Sequence, residues 1–132
     1  FVMPVFLERR TEDIAGPLAI ELASRMKKAG MESPIVGSTF FSDEGHRLGL
    51  YVAWHLGQPW YGDFWKPVLS NELSVLAKNK AKSGAYRKSG AKYTIANNKS
   101  QWAKHLESDP GFKNVTDKLG EQNLFQVFEI VK

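Results

Sequence analysis

Between residues 11 and 30 an apolar side chain returns every fourth position, at Ile14, Leu18, Leu22 and Met26. That spacing predicts one buried stripe on an α-helix. Thr11 or Asp13 is placed to cap it, and Pro17 fits only a first turn, so the regular helix is expected to begin near Gly16. Lys27 and Lys28 suit the negative end of the helix dipole, and Gly30 occupies a favoured helix-stop position. Ahead of this stripe, the short apolar run at 2–8 reads as a first strand. Residues 33–41 read as another, followed by turn chemistry at 42–46. From 46 to 56 the pattern alternates: Leu48, Leu50, Val52, Trp54 and Leu56 on one side, Arg47, Gly49, Tyr51, Ala53 and His55 on the other. Residues 35–56 are therefore expected to form a hairpin.

Residues 57–67 hold two Gly, two Pro and four aromatics and read as an apolar loop. A helix is expected from Ser70 as N-cap, with Glu72 in its first turn, Leu69, Leu73 and Leu76 on one face, and Lys78, Lys80 and Lys82 in its last turns. A short strand at 91–96, a turn at 97–99 and a short helix capped by Ser100, with Trp102 and Leu106 four apart, come next. Residues 108–112 break that helix, a helical turn around 113–119 ends at Gly120, and 123–131 reads as a strong final strand. Leu124, Phe128 and Ile130 fall on one face of it and Phe125, Val127 and Val131 on the other, which argues for a strand covered on both sides. The expected fold is α+β: a mostly antiparallel sheet with N- and C-terminal strands and a central hairpin, and helices packed against it.

Length changes this picture little: 132 residues fit a single α+β domain, residues 1–132, large enough for a real core. There is no cysteine, which excludes disulfides and thiolate chemistry and is compatible with a cytoplasmic location. No apolar run approaches the length of a membrane span, so no membrane partner is expected.

Charge changes the picture more. The net charge is +4, yet residues 1–72 carry 7 basic and 9 acidic side chains and residues 107–132 carry 3 and 5. The excess lies in residues 73–106, where Lys78, Lys80, Lys82, Arg87, Lys88, Lys92, Lys99 and Lys104 stand without a single Asp or Glu. Within this stretch a six-residue unit is written twice, KSGAYR at 82–87 and KSGAKY at 88–93. Gly and Ser suggest a basic, flexible segment at 78–104, and a localised positive field attracts polyanions. Lys and Arg would grip phosphates, while Tyr86, Tyr93 and Trp102 would offer faces for bases to stack on. The structural alternative is a surface loop whose tyrosines pack back on the core.

Two further features carry chemistry. Tyr51, Trp54, Trp60, Tyr61, Phe64 and Trp65 place six of sixteen aromatics within residues 51–65. They either pin a loop to the sheet or line a groove, with Trp60, Tyr61 and Trp65 as its walls. Asp63 lies among them, and enclosure by rings would raise its pKa as a general acid requires. His46, His55 and His105 fall on different faces or elements and make a poor metal set. A carboxylate site for Mg2+ would draw on Asp43, Glu44, Asp63, Glu72 or Glu129. Glu129 interrupts the covered final strand, so it needs a partner, most simply a lysine. The composition thus points to a small nucleic-acid-binding domain. The alternatives are an enzyme acting on a nucleic-acid or phosphorylated substrate through Asp63, Glu72 or Glu129, and a protein-interaction module, with homo-oligomers among its partners, that uses the aromatic loop.

Overall fold

The fourfold apolar stripe does make a helix. In the computed structural model, which describes residues 15–38, 42–44, 47–62, 74–120 and 124–131, α1 spans Ala15–Lys28. Leu22 and Met26 are buried, Leu18 packs against the same cluster, and Pro17 lies in the first turn. The helix closes with two bonds of a Schellman stop: Met31 N–H donates to Met26 O at 2.8 Å and Gly30 N–H to Lys27 O at 3.1 Å.

The expected hairpin at 35–56 is not formed. Its first arm shortens to β1, Ile35–Val36, and its second arm is a helix, α2, Leu48–Leu56. The buried residues of α2 are Leu48, Gly49, Val52, Ala53 and Leu56, a set spaced for 3.6 residues per turn. A run this apolar satisfies strand alternation and helical spacing at once, and Gly57 decides between them. It adopts φ +67, so that its N–H and that of Gln58 return to Trp54 O and Ala53 O. α2 then serves as the crossover that a parallel neighbour requires: β2, Trp60–Tyr61, pairs parallel to β1 in the register Ile35–Trp60 and Val36–Tyr61. The Trp60 indole lies so close to Gly37, Gly49 and Gly62 that a Cβ at these positions would meet it at 2.7, 2.9 and 2.5 Å. These glycines clear the space in which a large ring covers the sheet edge.

The basic stretch is also more regular than its composition suggests. Ser74, rather than Ser70, caps α3, Val75–Lys88, by accepting the Ala77 N–H at 3.1 Å. Ser70 and Glu72 lie outside the described residues, as does the strand expected at 2–8. The first hexapeptide copy is therefore helical rather than a loop. Tyr86, fully buried, anchors it to the sheet and outweighs the low helix propensity of Ser83 and Gly84. β3 (Tyr93–Asn97) and α4 (Gln101–Ser108) follow as expected, and Ser100 Oγ accepts the Ala103 N–H at 3.0 Å. A short strand, β4 (Phe112–Asn114), precedes a 3-10 turn at Thr116–Leu119, and β5 spans Phe125–Ile130.

The five described strands run in the order β2-β1-β3-β5-β4. β1 is parallel to β2 and β3, while β5 is antiparallel to both β3 and β4. The chain is α+β, but its sheet is mixed rather than mostly antiparallel, because helices and not tight turns join the strands. Alternate strand residues feed two cores. Ile35, Tyr93, Ile95 and Val127 face α1 and α2, whereas Val36, Ala96, Phe128 and Ile130 face α3 and α4. β5 sits inside the sheet and contributes to both, as its two apolar faces foretold. No helix among the described residues is long and apolar enough to cross a membrane.

Candidate anion-binding cleft and the buried pair behind it

α3 divides the basic stretch into an inner and an outer face. Lys82, Ser83 and Tyr86 turn inward and are buried. Leu76, Lys80, Ser83 and Arg87, at spacings of four, three and four, border an open cleft of about 350 Å3. Its other wall is His105 and Ser108 of α4 with the turn Asp109–Pro110. The two walls meet where His105 Nε2 lies 3.2 Å from Ser83 Oγ and where an Arg87 guanidinium nitrogen lies 3.8 Å from Asp109 Oδ1. Ser83 spends its one hydroxyl proton on the Lys80 carbonyl, at 3.1 Å. The satisfying tautomer therefore has His105 Nε2–H donating to Ser83 Oγ. Asp109 is held at the rim, accepting the Gly111 N–H at 2.8 Å. Gly111 lets Arg87 cross this turn, since a Cβ there would stand 2.5 Å from Arg87 Cδ and 3.2 Å from a guanidinium nitrogen.

Burial lowers the His105 pKa, and the positive fields of Lys80 and Lys82 push the same way against Asp109. The shift favours the neutral imidazole. The ring stacks on Trp102, with ring centroids 5.5 Å apart and planes 15° from parallel.

Trp102 leads to the second layer. Lys82 Nζ lies 4.1 Å from the centroid of the Trp102 ring and forms an ion pair with Glu44 Oε2, at the end of the 3-10 turn Ser42–Glu44. The other carboxylate oxygen, Glu44 Oε1, accepts the Tyr86 hydroxyl at 2.8 Å and the Ser38 N–H at 3.2 Å. Burial pushes Glu44 up and Lys82 down, each toward its neutral form, and the contact between them opposes both shifts. With two donors on one oxygen, an ammonium on the other and a ring face under the ammonium, the surroundings complete the charged pair.

This geometry rearranges the residues expected to bind. Lys82 leaves the phosphate-gripping set, since it is buried against Glu44. Lys80, Arg87, Lys88, Lys92, Lys99 and Lys104 are exposed and Lys78 is half-buried. Tyr86, Tyr93 and Trp102 are buried at 0, 4 and 3% exposure, so bases have no access to their faces. Tyr86 and Trp102 meet edge to face in the α3–α4 core, while Tyr93 belongs to the opposite one. Among the described residues of 51–65 no aromatic groove is assembled. Trp60 and Tyr51 pack on the α1–α2 core, Tyr61 on the other, and Trp54 is 80% exposed. Asp63, Phe64, Trp65 and His46 lie outside the described residues.

Glu129 does find a lysine: its carboxylate is half-buried, 3.9 Å from Lys92 Nζ. Beside it, burial and then the Glu129 charge raise the Tyr93 pKa. Among the described residues no three His, Asp or Glu side chains gather to hold a metal ion. Sequence reasoning missed Glu44 as a structural partner and His105, Ser83 and Ser108 as cleft residues. One signal was available: continuing α3 past Lys82 places Lys82, Ser83 and Tyr86 on one face. No family model, curated protein or solved structure matches this chain.

Proposed function

We propose that the chain is a nucleic-acid-binding domain that grips phosphates with the outer face of α3, the α3–α4 cleft and the adjoining turns. One observation carries this reading: after folding, seven of the eight basic residues of 73–106 remain accessible, and no acidic side chain of that stretch neutralises them. Arg87 and Lys92 make only long contacts with carboxylates, at 3.8 and 3.9 Å. At these lengths, and with the cations on the surface, the pairs are weak and yield to phosphate. With the tyrosines and Trp102 buried, affinity rests on charge rather than on stacking, and the lack of cysteine suits a cytoplasmic setting. The test is a titration of a labelled oligonucleotide across a salt series. If four or five basic groups contact phosphate, the slope of log K against log[salt] is about −3 to −4.5. A slope near zero, or no binding at low salt, defeats the reading.

A second reading, a protein interface that includes a homo-oligomer, is favoured by Trp54, which stands 80% exposed on α2 away from the basic face. Sedimentation of wild type and Trp54→Ser across a concentration series separates the two. Association lost in the variant supports the interface, and a monomer in both removes its homo-oligomeric form.

A further inference from the structure

We propose that the α3–α4 cleft is the seat of a terminal phosphate, the monoester that ends a nucleic-acid strand or a nucleotide, held between Lys80 and Arg87. This rests on the nucleic-acid reading and narrows it. A phosphodiester within a strand carries one charge, offers two free oxygens and must let the strand leave in two directions. A terminal phosphate carries nearly two charges near neutral pH, offers three acceptor oxygens and leaves by one route.

The cleft matches the second description. Two exposed cations, seven residues and so about 10 Å apart along α3, flank His105, Ser83 and Ser108, whose own protons are committed to Ser83 Oγ, Lys80 O and His105 O, so the cations supply the grip. Its volume of about 350 Å3 belongs to small-ligand sites, and apolar Leu76 and Pro110 border it, available to a sugar or base. Arg87 is also positioned before any ligand arrives: it is laid over Gly111, beside a wall where Ser83 is fixed to both the Lys80 carbonyl and His105. Asp109 holds Arg87 only at 3.8 Å, so a phosphate displaces a weak partner.

The experiment compares thymidine hexamers bearing a 5′-phosphate, a 3′-phosphate or only hydroxyl ends, with thymidine monophosphate alongside. Binding is followed by amide and His105 ring resonances. At least one phosphorylated hexamer is expected to bind about tenfold more tightly than the hydroxyl-ended one and to shift His105. That preference should vanish in Arg87→Gln, and also in Gly111→Ala, which moves Arg87 without changing any charge. Thymidine monophosphate binding as tightly as the best hexamer identifies the free nucleotide as the ligand; weaker binding identifies the strand end. Equal affinity of all three hexamers overturns the inference and leaves the basic-face reading intact. A preference that survives both variants also overturns it, because the end phosphate then sits elsewhere. If no hexamer binds, the nucleic-acid reading fails, and the cleft stands or falls on whether thymidine monophosphate alone shifts His105 and loses affinity in Arg87→Gln.

Discussion

The two copies of the hexapeptide share their first four letters and almost nothing of their structure. In the first, Lys82 is buried in an ion pair, Ser83 joins two helices, Gly84 lies within α3 and Tyr86 fills the α3–α4 core. In the second, Lys88 is exposed and Ser89 ends the helix, with its Oγ donating to Tyr86 O at 2.7 Å and accepting the Ala91 N–H at 3.2 Å. Gly90 then takes φ +87, and Tyr93 enters β3 facing the opposite core. The second copy begins one residue after Arg87, at the end of the helix, so its Ser and Gly act as stop signals where those of the first are carried along. Local composition made both copies look equally pliable. Tertiary partners separated them.

Charge removal should separate the copies most. Glu44→Gln removes the carboxylate charge bonded to buried Lys82 and should cost about 3–5 kcal/mol, read from urea denaturation. Replacing both partners, Glu44→Leu with Lys82→Met, should recover most of that loss. Lys88→Met, at the matching position of the second copy, should stay within about 0.5 kcal/mol of wild type. Equal costs for Glu44→Gln and Lys88→Met would erase the distinction between the copies.

The glycines should respond with opposite signs. Gly84→Ala adds a methyl to a helix with nothing within 4 Å of it and should stabilise by about 1 kcal/mol. Gly90→Ala must keep φ +87 and should destabilise by about 1–2 kcal/mol. Denaturation midpoints moving the same way in both variants would show that the copies end in the same conformation after all.

The smallest effect is a pH dependence that only the first copy acquires, through the contact between Ser83 and His105. Burial holds His105 below its usual range, so the folded protein binds that proton less readily than the unfolded chain. The associated stability is complete above about pH 6.5 and is lost as the pH falls through the lowered value. His105→Gln should therefore lose less stability than wild type between about pH 7 and pH 5. Parallel losses in the two proteins would assign the acid sensitivity to other groups.

What was legible in the sequence follows the range of the forces involved. α1, the Ser100 cap and β5 were readable because spacing, capping and two-sided hydrophobicity act within a few residues. α2 was misread because Leu48–Leu56 is apolar on every side, so the period of two and the spacing of Leu48, Val52 and Leu56 compete. Gly57, placed as a helix stop, was the cue that resolves it. The bonds between Glu44 and Lys82 or Tyr86 span 38 and 42 positions, and no local pattern announces them. Of the candidate site, the cations were visible as composition. Their division into a buried and an open face depended on which side of α3 meets the sheet.

The place of β5 has a consequence for how the molecule is made. It is the latest of the described strands in the chain, yet it lies between β3 and β4 rather than at a margin. While the chain is being synthesised, β3 pairs with β1 on one side and waits on the other with open N–H and C=O groups. β4 has no neighbour among the described strands until residues 125–130 emerge. The closing of the sheet is thus a late step, and an interrupted chain exposes an unpaired interior edge, the kind of surface that recruits chaperones or other copies of itself.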